Sequence, residues 1–273
     1  MSMRYAFFSD IHGNLPALKA IFEDMERVVA TRGTPIHQRW CLGDIVGYGP
    51  QPGECLQMVR RRCDVVIPGN HDWVAIGKLD IGDFSEVAAE SAAWTRQRIS
   101  EQDLNYMRNL PETIPVNDFT LAHGSPFNPI WEYLTTAESA APSFPWFDTL
   151  YALVGHTHLP TIFLQPIMRG ARVVRPERRT FNQLNQKPML AMAQPGGPTR
   201  SSLESGDLSS NSGANTMLSP CERWIPSEGL WRIPPGYRAI INPGSVGQPR
   251  DGDPRAAYVI YDSDLGFEFR RVP

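Results

Sequence analysis

The sequence is poor in cysteine and has no long apolar run and no excess of positive charge. Its four cysteines, Cys41, Cys55, Cys63 and Cys221, include no CxxC pair. Cys55 and Cys63 fall on one expected helix, where a rise of about 1.5 Å per residue holds them too far apart for a disulfide. All four are therefore expected to be reduced thiols, buried rather than reactive, in a reducing compartment. Residues 1–8 show no basic leader, apolar core or cleavage site, and no stretch approaches the roughly 20 apolar residues of a spanning helix. The expectation is a cytoplasmic protein with no membrane partner. A formal net charge of -3 argues against stable nonspecific binding to nucleic acid, which calls for a basic face. Nucleic acid is left only as a substrate.

What is present is an alternation of strands and helices. Across 273 residues, 41% of them hydrophobic, there is material for one large α/β domain or two small ones. Residues 4–8 form an expected buried strand ending on the polar turn 9–14. Leu15, Leu18, Ile21, Phe22, Met25, Val28 and Val29 then recur at helical spacing, behind Asn14 as N-cap and Pro16 in the first turn. The pattern repeats with a strand over 38–42, the loop 43–50 and a helix over about 53–62. It repeats again with a strand over 65–67, the loop 68–72 and a helical stretch over 86–99. Strands over 119–122 and 151–154 enter His123-Gly124-Ser125-Pro126 and Gly155-His156-Thr157-His158. In such α/β folds function gathers in loops at the strand C-termini. The last third turns β-like, with short alternating runs over 162–164, 171–174, 238–241, 257–261 and 267–271 that suit a second sheet. Residues 176–235 break the pattern, and 194–220 are dominated by Gly, Pro, Ser, Thr and Asn. This is expected to be a flexible insertion in a single domain. Arg169, Arg172, Arg175, Arg178 and Arg179 precede or enter it, either as solvated arginines of an edge hairpin or as an anchor for an anion.

Every histidine except His37 falls in a strand-end loop, next to glycine, acidic or amide residues. His37, outside all these loops, is expected to be an ordinary surface or core histidine. Asp10 and His12 stand two residues apart in an extended turn, so both can face one cation, and His156 and His158 repeat the spacing. Carboxylates mixed with imidazoles suit manganese, iron, zinc or nickel better than calcium. The donors exceed the needs of one ion. Two ions sharing a carboxylate would use them all, about 3.5–4 Å apart with a hydroxide between them.

Asp10-x-His12, Gly43-Asp44, Gly69-Asn70-His71-Asp72, His123 and Gly155-His156-x-His158, in this order, resemble the calcineurin-like metallophosphoesterase superfamily. The resemblance implies a two-sheet αββα sandwich with helices outside and a pair of divalent metal ions. It implies that Asp10, His12 and His158 hold the first ion, that Asn70, His123 and His156 hold the second, and that Asp44 bridges them. His71 would face the substrate and, as general acid, protonate the leaving oxygen, while a metal-bridging hydroxide attacks phosphorus and Asn70 helps to neutralise the phosphate. Asp72 either orients a neighbouring ligand or caps the following segment.

Ser/Thr protein phosphatases and dinucleoside tetraphosphatases of this superfamily carry Asp and Arg where this sequence has Gly47 and Tyr48, which argues against protein phosphatase activity. GDIVGYGP, HGSP followed by Trp131-Glu132-Tyr133, and the run from Asn242 through Pro243, Gly244 and Ser245 to Arg250 resemble instead the small prokaryotic phosphodiesterase branch. The Asn-Pro-Gly-Ser segment is expected to be a tight turn packed near the metal loops. Tyr48, Phe127, Trp131 and Tyr133 either pack or offer stacking faces to a nucleobase. The expectation is thus a phosphodiesterase for small or nucleotide-like substrates. A phosphomonoesterase or nuclease on the same centre is the alternative, and a non-catalytic binding scaffold of the same fold is the alternative of another class.

Overall fold

The first strand, β1 (Arg4–Phe8), alternates its side chains between two cores: Ala6 and Phe8 face one, Tyr5 and Phe7 the other. A strand buried on both faces must lie in a layered structure, and the computed structural model is one. It describes residues 2–167 and 220–273. They belong to a unit formed by residues 1–175 and 219–273.

In chain order the further strands are β2 (Gln38–Cys41), β3 (Val65–Val66), β4 (Thr113–Val116), β5 (Phe119–Ala122), β6 (Tyr151–Leu153), β7 (Thr161–Pro166), β8 (Glu222–Trp224), β9 (Gly229–Trp231), β10 (Tyr237–Asn242), β11 (Ala256–Asp262) and β12 (Gly266–Val272). Among the described residues they make two mixed sheets, ordered β3-β2-β1-β11-β12-β9 and β4-β5-β6-β10-β7-β8. β1, β2 and β3 run parallel in the first sheet, and β5, β6 and β10 run parallel in the second. Tyr5, Phe7, Trp40 and Leu42 from one sheet meet Phe119, Leu121, Leu153 and Ile241 from the other in a shared core. The opposite face of the first sheet packs on α1 (Leu15–Arg32) and α2 (Pro52–Arg62). The outer face of the second, with Ala152, Phe163 and Ile240, packs on Phe144 and Phe147.

Three departures from the sequence expectations have local causes. Helix starts directly at Asn70, as α3 (Asn70–Ala75), so Asn70 and His71 lie on a helical first turn rather than in a loop. The helical stretch expected over 86–99 is α4 (Glu86–Arg96), and a further helix not expected from the sequence, α5 (Glu101–Arg108), follows it, capped by Ser100, which accepts from the Asp103 amide. Residues 222–231, inside the expected insertion, form β8 and β9 at the edges of the two sheets. The expected strand over 171–174 and the arginines at 169–179 lie outside the described residues. A further four-residue helix, α6 (Ala137–Ala140), precedes a 3-10 turn over Ala141–Trp146. No helix among the described residues is long and apolar enough to cross a membrane.

Candidate metal centre

The ends of β1, β2, β3, β5 and β6 deliver their following residues to one place, where Asp10, His12, Asp44, Asn70, His71, His123, His156 and His158 are all buried. Two donor groups result, Asp10 with His12, Asp44 and His158, and Asp44 with His123 and His156. Asp44 belongs to both. His12 Nε2 lies 3.6 Å and His123 Nε2 3.4 Å from Asp44 Oδ2, and His158 Nε2 lies 3.5 Å from Asp10 Oδ1. Asn70 opens α3, and the next amide, His71 N–H, donates to Asp44 Oδ1 at 2.9 Å.

Tautomers indicate what the cluster awaits. The Nδ1 atoms of His12, His123 and His158 face the carbonyls of Val46, Leu42 and Gln248 at 3.1, 2.8 and 2.6 Å. A carbonyl only accepts, so each Nδ1 carries a proton, and in His12 and His158, which burial keeps neutral, Nε2 presents a bare lone pair. His12 Nε2 and His158 Nε2 are 3.1 Å apart. Two lone pairs at that distance repel unless a cation lies between them. Asp10 Oδ2, Asn70 Oδ1, His123 Nε2 and His156 Nε2 are likewise buried without a hydrogen-bond partner. Orphaned buried acceptors are costly, and so many in one place fit a metal centre of mixed N and O donors.

The charges are equally unsettled without cations. Burial pushes the Asp10 carboxyl up, despite His158 and His123. Burial holds His12, His156 and His158 below the usual imidazole range. Their approaches to carboxylates are therefore those of neutral ligands and not of ion pairs. Asp44 escapes: burial would raise it, but His123, His71 and His12 hold it well below the carboxylate range. For His123 the burial penalty is outweighed by Asp44 and Asp10, which lift it to about 9.

Several supports were legible only in part. Asp72 does both things expected of it: Oδ2 accepts from Gly69 N at the start of α3, and Oδ1 accepts from Ile45 N and Val46 N beside Asp44. Burial, reinforced by the Asp44 charge, raises it to about 7. The Asn-Pro-Gly-Ser segment packs against the metal-type loops: Asn242 Nδ2 donates to Gly155 O at 2.6 Å, and Ser245 Oγ to Asp10 O at 2.8 Å. His71 sits in an aromatic box of Tyr48, Phe84 and His12, with ring centroids 4.6, 4.9 and 4.9 Å away. No sequence signal marks Phe84, because its loop reaches the site only through the fold. Phe127 packs on Trp146 and Trp131 on Phe84, whereas Tyr133 lies 3.8 Å over His156 and is 48% exposed. His37 stays apart, its Nδ1 accepting from Arg4 N at 3.0 Å.

Residues 3–185 match the family described as calcineurin-like phosphoesterase. The chain belongs to that family. It is 30% identical over 273 residues to an uncharacterized protein of Methanocaldococcus jannaschii, covering 98% of this chain and 86% of that one. It is also similar to a metallophosphoesterase from Sphaerobacter thermophilus, with 34% identity, a TM-score of 0.67 and coverage of 100% of this chain and 89% of that one. A hypothetical protein from Pyrococcus horikoshii, 17% identical with a TM-score of 0.63 over 99% of this chain and 88% of that one, shares the fold. As a calcineurin-like phosphoesterase, the protein is a metal-dependent hydrolase of phosphate esters, and its αββα layers are those of its relatives. The buried His/Asp cluster is where a divalent metal would bind.

Proposed function

We propose that this phosphoesterase hydrolyses small, nucleotide-like phosphodiesters at two divalent transition-metal ions. Asp10, His12 and His158 would hold one ion, Asn70, His123 and His156 the other, and Asp44 both. The observation that carries this reading is the convergence of unpartnered buried donors on a carboxylate common to two groups. The imidazole-rich set suits manganese, iron, nickel or zinc, and the four free thiols suit a reducing compartment such as the cytoplasm. Ions bound there would acidify an attacking water and neutralise charge on the phosphate.

The chain's own residues supply the rest. His71, held at about 4 by burial against the pull of Asp44, is neutral at pH 7. As general acid it would protonate the leaving oxygen, a role that an arriving phosphate anion favours by raising its proton affinity. The Tyr48 and Phe84 rings keep competing water from it. Gly47 and Tyr48 bring no carboxylate or guanidinium at the end of the second motif, which suits a monoanionic diester better than a dianionic monoester. The exposed Tyr133 ring, rather than the packed Trp131, offers the stacking face for a base.

The test is hydrolysis of bis-p-nitrophenyl phosphate and p-nitrophenyl phosphate by metal-stripped protein given manganese, nickel, magnesium or zinc, beside His71→Ala. Diester cleavage that needs a transition metal and falls about 10²–10⁴-fold in the variant is expected. Faster monoester cleavage would replace the diesterase reading with a monoesterase one.

A further inference from the structure

The turn after β10 is tied to the centre along its length. Val246 N and Gly247 N donate to Ser9 O and Asp10 O at 3.0 and 2.9 Å, and Asn14 Nδ2 donates to Gly247 O at 3.1 Å. Gln248 N donates to Ser245 Oγ at 2.8 Å, while Gln248 O orients His158. A β-carbon on Gly247 would collide with the Ile11 carbonyl, so the turn has no room to drift away. Downstream, Asp251 is gripped by Arg271. Arg250 is thus carried between two fixed points.

Its side chain is unlike its neighbours. Arg255, Arg270 and Arg271 all pair with carboxylates. Arg250, which is exposed, donates instead to a neutral amide oxygen, Gln248 Oε1, at 3.0 Å. Among the described residues no carboxylate pairs with it. Gln248, its partner, also faces His158 Nδ1 with its carbonyl at 2.6 Å, so the guanidinium stands one residue's reach from the centre. Gln248, to which it bonds, lines a pocket of about 360 Å³ together with His12, Asn14, Tyr48 and Gln51 among others. A cation positioned by a neutral acceptor, near a cluster built to gather more cations, is left with a net repulsion that an anion relieves.

We infer that Arg250 is the phosphate-binding arm of this site, a guanidinium that grips a non-bridging oxygen of the scissile phosphate from the C-terminal turn. Its partner Gln248 lines the same pocket as Tyr48, at the end of the second motif, which itself brings no cation. The inference rests on the phosphoesterase reading for its substrate, but its core is anion binding. The planar fork matches phosphate geometry in a way a lysine ammonium does not.

The experiment compares Arg250→Ala, Arg250→Gln and Arg250→Lys with the unaltered protein, each loaded with manganese. Inorganic phosphate binding is read by calorimetry, bis-p-nitrophenyl phosphate kinetics by KM and kcat, and metal content by elemental analysis. Expected are a phosphate Kd and a diester KM raised roughly 10- to 100-fold in the Ala and Gln variants, partial recovery with Lys, and metal content unchanged. Unchanged phosphate affinity in all three variants would overturn the inference. So would losses of metal content or thermal stability that parallel the loss of phosphate, since Arg250 would then be a brace for the turn. Absence of ester hydrolysis by the unaltered protein would count against the proposed function alone, because phosphate binding still reads Arg250.

Discussion

Two residues that touch no substrate set the geometry of the centre. Asp72 is fully buried and accepts from Gly69 N, Ile45 N and Val46 N at 2.9, 3.0 and 3.1 Å, binding the second motif to the start of α3. Asp72→Ala would strand three buried amide donors, each worth about 1 kcal/mol or more. A loss of about 3 kcal/mol in urea denaturation, with weaker metal retention, is expected. Gly47, with φ +90°, acts through space: a β-carbon there would come within 2.5 Å of His71 Nδ1. A side chain such as Asp has no room at this place unless the His71 ring moves. Gly47→Ala should therefore lower kcat by tenfold or more while metal content stays at the level of the unaltered protein, as measured by kinetics and elemental analysis. Loss of metal instead would mean that Gly47 serves the ligand loops and not the ring.

The loops that carry the donors are strained elements held by their neighbours. Asp10, His12, Asp44, Tyr48, His156 and His158 all have φ between 48° and 66°, a left-handed conformation costing roughly 1–2 kcal/mol for each such residue. Ladders between loops offset this: Ile11 N and His12 N both donate to Asp44 O, and Gly13 N to Ile45 O, at 2.8–2.9 Å. Bound metal would add to the ladders and remove the repulsion between bare nitrogens. At a hundredfold excess over its dissociation constant, one ion stabilises by about 2.7 kcal/mol. Chelation should then lower Tm by about 5–10 °C, reversed by manganese and checked by scanning calorimetry. An unchanged Tm would argue that the donors are satisfied without metal. These loops were legible because ligand chemistry is local: Asp10-x-His12 and His156-x-His158 sit beside glycine in five residues or fewer. What escaped depends on distance along the chain. Phe84 meets His71 only after α3 folds back, and Arg250 comes near the centre only because the turn after β10 bonds the loop after β1. The short strands β8 and β9 escaped too, since edge segments of three residues carry too little alternation to stand out from a turn-rich stretch.

At the scale of the molecule, α1 is fastened to the first sheet by charge as well as by apolar packing, and this makes overall stability depend on pH. Asp24 accepts from the Tyr258 hydroxyl at 2.7 Å and from Arg270 Nε at 2.8 Å, and Arg270 also bonds Glu268 at 2.6 Å. Arg32, in the last turn of the helix, forks onto both Glu268 oxygens at 2.6 and 2.7 Å. Burial would raise the Asp24 carboxyl, but the bonds from Arg270 and Tyr258 and the charges of Arg270 and Arg27 hold it below its usual value. Glu268 is lowered against its own burial in the same way, by Arg32 and Arg270. Carboxyls that are more acidic folded than unfolded contribute stability that is complete above the unfolded values, about 4, and is lost as pH falls through the folded values. The contribution of these two carboxyls should therefore hold steady from pH 7 to about 5 and decline below about 4, read as the difference in urea midpoint between the unaltered protein and a variant that lacks the Asp24 charge. Asp24→Asn keeps the shape and an acceptor for Tyr258 but gives up the charge, so it should be less stable than the unaltered protein by about 1–3 kcal/mol at pH 7. That gap should close as the pH falls, because the unaltered protein then loses the same charge. A gap that stays constant from pH 7 to 3 would show that Asp24 fastens α1 by its shape and hydrogen bonds and not by its ionisation.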